Sequence, residues 1–167
     1  MERRTYSEAE VIRLAALAAA DYAASCSGPT IRGRNGEKNL RGKSVEAVAE
    51  ASGMTVEQVT PLVIDLAAAG WDDLSDHWQQ VNVQSAHGMI EIMEKLGGPD
   101  VVSAVNLNDP AQRLRYGTLL HQAWLDQNAW AADDPVLSRD FADLPVGEQD
   151  KDIQQLKSLQ AWLSEIG

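Results

Sequence analysis

The chain has 167 residues, a net charge of −11, few aromatics and a single cysteine, Cys26. That length suits one domain with a sizeable core, no apolar run reaches the roughly 20 residues of a membrane span, and one cysteine excludes an internal disulfide or a cysteine-built zinc site and suits a reducing cytoplasm. The charge is uneven: residues 1–60 carry eight basic and eight acidic side chains, residues 61–167 six and seventeen, so the second part repels nucleic acid and anionic membrane, and an anionic partner has to be met by the first.

The opening residues, Met1 to Ser7, lead into an Ala-rich stretch of the kind that begins a secretory leader. Glu8, Glu10, Arg13 and Asp21 interrupt it, so the expectation is a helix over about 7–26. Ser7 and Glu10 form a capping box, in which a hydroxyl and a carboxylate satisfy backbone donors at the helix start. Val11, Leu14, Ala15, Ala18 and Tyr22 fall on one face. Residues 28–43 hold four glycines and a proline, which preclude a helix, and the chain's one basic cluster: Arg32, Arg34, Lys38, Arg41 and Lys43. The stretch reads as an irregular, solvated loop or an anion-contacting one. Gly42-Lys43-Ser44 approaches the spacing of a phosphate-binding loop, but five residues separate Gly36 from Gly42 and no apolar strand precedes, so that reading fails.

A short helix is expected over Ser44–Ala51 and another from Thr55, with a second capping box to Gln58, through to Ala69. The pair resembles a helix-turn-helix, whose second helix would enter a major groove. Its exposed positions, Glu57, Gln58, Thr60 and Asp65, carry no cation, which suits packing better than DNA reading. Further helices are expected over about 75–96 (Trp78, Val81, Ser85, Met89, Ile92 and Leu96 inward), one or two turns within 100–106, 108–130 after an Asp109-Pro110 start, and 145–166 (Ile153, Leu156, Leu159, Leu163 and Ile166 inward). Residues 131–144 read as an acidic loop.

One stretch occurs twice. Shifting residues 71–97 by 70 positions aligns them with 141–167 without a gap: Trp71 meets Phe141, Asp73 meets Asp143, Leu74 meets Leu144, Ser75 meets Pro145, Gln79 meets Gln149 and Asn82 meets Asp152, with Gly97 and Gly167 closing each copy. The aromatic and the Leu anchor a loop, and Ser or Pro opens the helix that follows. Matches at one offset argue for a duplicated loop–helix unit.

Catalytic machinery is not visible. His77 and His87 stand about 80° apart around one helix and cannot chelate together. His121, beside Trp124, reads as a satisfied, partly buried histidine. No metal-ligand spacing occurs, no nucleophile-elbow pattern frames a Ser, Cys26 lacks a base, and Asp133, Asp134 and Asp140 read as a charged loop. No cofactor, no metal site and no enzyme activity are expected.

Residues 115–167 resemble the ryanodine-receptor repeat domain. His121-Gln-Ala-Trp124 matches its His-x-x-Trp helix, and Phe141-Ala-Asp-Leu144-Pro145-Val-Gly-Glu148-Gln-Asp-Lys-Asp152 matches its aromatic–Leu-Pro–Glu–Asp segment, before a last helix ending in Gly167. The aromatic stands one residue further from the Leu than is commonest, and Asn128-Ala-Trp130 occupies the place of the family's Gly-Trp-x-Tyr-Gly. Residues 71–97 are similar to the same motif more loosely, and to small phage and bacterial proteins with Leu-x-x-x-Trp-Gln-x-x-Asn. The resemblance implies a helical fold of two similar halves and recognition of a nucleotide-like ligand.

The expected fold is thus all-α: one compact domain, 1–167, of about six helices in pseudo-twofold halves, 1–98 with the helix-turn-helix-like pair and 99–167 with the second repeat. A cleft between the halves would hold Trp71, Trp78, His121, Trp124, Trp130 and Phe141, with Arg32, Arg34, Arg41 or Lys43 reaching an anionic group. The expected function is a non-enzymatic binding module, phage or bacterial conflict-related, for a small nucleotide-like or other anionic ligand. Alternatives are an acidic inhibitor docking a basic protein and a helix-turn-helix regulator. The expected location is the cytoplasm, without membrane or nucleic-acid contact, with self-association open.

Overall fold

The computed structural model describes residues 4–167; residues 1–3, which open the stretch weighed as a leader, lie outside the described residues. The chain is mostly helical, with seven α-helices and several 3-10 turns among the described residues, and it carries one small antiparallel sheet. No described helix is long and apolar enough to cross a membrane. The backbone gathers into two units, Val11–Ser85 on the one hand and the residues up to Glu10 with Ala86–Gly167 on the other.

Helix α1 spans Glu8–Ser25. Its start is the capping box read from the sequence: Ser7 N–H donates to Glu10 Oε1 (2.9 Å) and Glu10 N–H to Ser7 Oγ (3.1 Å). Val11, Leu14 and Ala15 are buried, whereas Tyr22, assigned to the same face, is half exposed. The stretch expected to be irregular instead contains two strands, β1 (Ile31–Gly33) and β2 (Arg41–Gly42). β1 is the middle strand. It pairs antiparallel with β2 (Ile31 opposite Gly42) and with β3, Val63–Asp65 (Gly33 opposite Val63).

β3 corrects a second expectation. The helix predicted from Thr55 to Ala69 stops after one turn: α3 is Val56–Val59, and a 3-10 turn, Thr60–Leu62, leads straight into the strand. Pro61 is the cause, since it has no N–H to donate to an earlier carbonyl. The β-branched Val63 and Ile64 then find a partner in β1. The capping box at Thr55 and Gln58 is present, but it starts a helix of four residues, too short to lie along a major groove. α2, Val45–Ser52, is capped by Ser44 Oγ and ends at Gly53 in the left-handed conformation. The sheet and α2–α3 enclose a core of Ile31, Leu40, Val48, Ala49, Val59 and Val63. All-α is therefore too simple a description. The helices dominate, and a sheet braces the unit that also holds the basic cluster.

The remaining helices are α4 (Asp76–Lys95), α5 (Pro99–Ala104), α6 (Pro110–Gln127) and α7 (Val146–Ile166). In the unit containing Ala86–Gly167, the core is Met89, Ile92, Met93, Val102, Leu120, Ile153, Leu156, Leu159 and Trp162. Gln160 Nε2–H donates to the carbonyls of Val102 and Val105 at 3.0 and 2.8 Å, which fastens α7 to the C-terminal end of α5. The Phe141 ring fills the place of a side chain on α6: a Cβ added to Gly117 would stand 2.5 Å from it. Of the inward set predicted for α4, Met89, Ile92 and Leu96 are buried and Ser85 is exposed.

Candidate functional site

Two pockets stand out, one in each unit. The first, about 320 Å³, is walled by Ala19 and Tyr22 of α1, Arg32 of β1, Leu66 and Ala69 after β3, and Leu74, Trp78, Val81, Asn82 and Ser85 at the start of α4. Its construction follows from local chemistry. Residues 71–73 make a 3-10 turn that ends at the buried Leu74. Ser75 Oγ donates to the Arg34 carbonyl and Trp78 Nε1–H to the Gly33 carbonyl (2.9 Å). These two bonds tie the first turn of α4 to the end of β1. Gly36, at φ +79°, leaves room for the His77 ring: a Cβ there would lie 2.3 Å from His77 Nε2. Arg32 donates through Nη1 to its neighbour's carbonyl, Ile31 O (2.8 Å), and has no ion-pair partner among the described residues. The rest of its guanidinium fork remains for a bound group.

The second pocket, about 280 Å³, is walled by His121 and Trp124 of α6, Trp130, Leu137, Leu144, and Glu148, Lys151, Asp152 and Gln155 of α7. Trp124 and Trp130 meet edge to face, at 80° and 5.9 Å between centroids, and His121 lies nearly parallel to Trp124 (15°, 6.0 Å). Trp130 is 62% exposed, on the 3-10 turn Ala129–Asp133 that follows α6. Behind the aromatics is a buried polar pair. His121 Nε2 lies 3.0 Å from the Leu137 carbonyl and 2.9 Å from that of Arg139. Two carbonyls can only accept, so Nε2 carries a hydrogen. His121 Nδ1 then faces Asp152 Oδ2 at 3.1 Å, and neither atom has another hydrogen-bond partner. Two lone pairs at that distance would repel, so a proton sits between them. Burial pushes the Asp152 carboxyl up to about 6, opposed by the His121 ring beside it. At the rim Lys151 Nζ pairs with Glu148 Oε1 at 3.0 Å.

The residues picked out in the sequence divide between these places. Arg32 and Trp78 share the first pocket; His121, Trp124 and Trp130 share the second. Trp71 and Phe141 line neither: each opens a 3-10 turn and offers its carbonyl to a glutamine amide eight residues on, Gln79 (3.0 Å) and Gln149 (2.9 Å). Phe141 is buried as a packing anchor. Arg34, Arg41 and Lys43 are exposed and line neither pocket, and Ser44, after the near-phosphate-loop pattern, serves as the cap of α2. Tyr22, Glu148 and Asp152 were not assigned to a site. Asp152 had a signal in its register with Asn82, since a carboxylate among the apolar positions of α7 has to be buried with a partner or turned out. No group of three or more potential metal ligands is assembled among the described residues.

The two pockets also share a register. Leu74, Trp78, Val81, Asn82 and Ser85 line the first, and Leu144, Glu148, Lys151, Asp152 and Gln155, each 70 positions later, line the second. Leu74 and Leu144 are both buried and both end their 3-10 turns in extended backbone. Leu144→Ala and Leu74→Ala should each cost about 2–5 kcal/mol, the range for large-to-small core changes; a denaturant melt that moves for one and not for the other would show that only one Leu is an anchor. Comparison of the chain with family models, with curated proteins and with solved structures returns no match.

Proposed function

We propose that this chain is a non-enzymatic binding module whose first pocket takes a small anionic, nucleotide-like ligand, and that its two pockets descend from one duplicated loop–helix unit. The observation that carries the ligand reading is the placement of Arg32 in the same pocket as Trp78 and Tyr22. Indole and phenol rings give flat surfaces on which a base stacks, and the open fork of an arginine grips phosphate in bidentate fashion. The pocket's volume lies at the lower edge of the range for small-molecule sites. Support for duplication is the offset of 70 shared by five lining positions and by the Gln79 and Gln149 amide bonds. The resemblance of residues 115–167 to the ryanodine-receptor repeat domain points the same way.

The test is a thermal-shift screen with nucleoside monophosphates and inorganic phosphate, followed by calorimetry. A binder should raise the melting temperature, and Arg32→Ala should weaken it at least tenfold, as expected when a charge-assisted hydrogen bond of about 1.5–3 kcal/mol is lost. The triple change Arg34→Ala, Arg41→Ala and Lys43→Ala should leave the affinity within about twofold, the remainder expected of exposed cations that act only at long range. A flat screen, or equal binding by Arg32→Ala, would sink the reading.

A further inference from the structure

The geometry points to a second ligand site of opposite preference: we infer that the pocket of Trp124, Trp130 and Asp152 binds a small alkylated ammonium ion. Three independent features converge on it. Two indole rings stand at 80° to one another, so a cation placed in their angle meets two electron-rich surfaces at once, the arrangement by which aromatic cages hold quaternary ammonium groups. An isolated exposed Trp is unremarkable on a protein surface, but Trp130, 62% exposed, forms one wall of a cavity whose base holds a buried carboxylate, Asp152. The cavity, about 280 Å³, suits a headgroup-sized occupant.

Charge selects the sign. Residues 86–167 carry thirteen acidic and six basic side chains, a field that concentrates cations and repels anions. Within the pocket the ammonium of Lys151 is held by Glu148 at 3.0 Å and the imidazole of His121 by Asp152 and two carbonyls. Glu148 thus offsets the Lys151 ammonium and Asp152 faces the His121 ring, while the exposed Trp130 indole remains for a cation. The contrast with the first pocket is positional. Where Asn82 stands there, Asp152 stands here, and where the first pocket has Arg32, the second has none.

The test is isothermal titration of the full chain with choline chloride and, separately, with its uncharged carbon isostere 3,3-dimethylbutan-1-ol, at matched ionic strength. Choline should bind saturably and the isostere at least tenfold more weakly. Trp130→Ala, at an exposed position that leaves the core intact, should reduce choline affinity at least tenfold, and Asp152→Asn should do the same. Arg32→Ala, in the other pocket, should leave it unchanged, which separates this site from the anion reading. Absence of saturable choline binding, equal binding of the uncharged isostere, or retention of affinity in Trp130→Ala would each overturn the inference. Should Asp152→Asn fail to fold by circular dichroism, the isostere and Trp130→Ala decide it alone.

Discussion

Replacing Trp162 by Ala should lower the free energy of unfolding by about 3–5 kcal/mol, the range for deleting a buried Trp or Phe side chain. No other fully buried side chain among the described residues is as large. Its indole Nε1–H donates to the Glu10 carbonyl at 2.7 Å, and the Tyr6 ring packs on it at 4.8 Å, tilted by 48°. One side chain of α7 therefore fastens the first turn of α1, 152 positions earlier in the chain. Truncation removes the apolar contact, opens a cavity and leaves the tie unmade. Trp162→Phe keeps an aromatic ring in place and loses the N–H with part of the volume, so its loss should be smaller, about 1–3 kcal/mol. Urea melts followed by circular dichroism measure both. The midpoint should fall with the slope unchanged, since a stability change without a change in exposed surface moves only the midpoint. A loss below about 1 kcal/mol for the Ala variant would mean that the indole is dispensable.

The second large effect concerns His121. Removing it by His121→Ala strips a buried carboxylate of its partner, a change that costs about 3–5 kcal/mol when a buried pair is broken. It also frees the Leu137 and Arg139 carbonyls, which the ring binds to α6. The pair makes a pH prediction as well. The folded-state value of Asp152 is raised, to about 6 from an ordinary 3.8. Between those values the folded chain holds a proton that the unfolded chain has given up, so stability falls as pH rises through the window. The groups facing Asp152 are His121 on α6 and Glu148 and Lys151 on α7. Asp152→Asn should abolish that fall. Asp134 and Glu37 act in the opposite sense: backbone N–H groups hold each below the usual carboxylate value, so their stabilisation is lost as pH falls. They are common to both proteins and cancel in the difference. Thermal melts of the two proteins at steps from pH 4 to 7 read the result. Parallel curves across that range would mean that Asp152 is not buried as a protonated group.

Much of this architecture is written locally. Ser7 with Glu10, Thr55 with Gln58, Ser44, and Asp109 before Pro110 fix helix starts through bonds that span three residues or fewer, and such bonds depend on little beyond the neighbouring side chains. The apolar spacing of α7 places Ile153, Leu156, Leu159 and Leu163 inward without reference to any other element. The loop–helix stretch at 71 and again at 141 was legible for the same reason, as an aromatic, a Leu and a helix start at fixed spacing.

What only the tertiary structure decided is what depends on a distant partner. Val63–Asp65 is a strand because β1 offers it an edge, and the β1 residues opposite it lie about 30 positions or more earlier in the chain, Gly33 facing Val63 and Ile31 facing Asp65; helical capping signals at Thr55 cannot report that edge. Trp78 was read both as an inward residue of its helix and as a wall of a ligand cleft, and its place on a pocket wall depends on the distant Gly33 carbonyl, to which its indole N–H donates. Arg32 is set apart from Arg34, Arg41 and Lys43 only by the fold, which brings it to the pocket that Trp78 lines and leaves the other three outside it. Asp152 among the apolar positions of α7 acquires meaning only when folding brings His121 within 3.1 Å. A charge buried in a helix costs free energy until its partner arrives, and the partner lies on another helix.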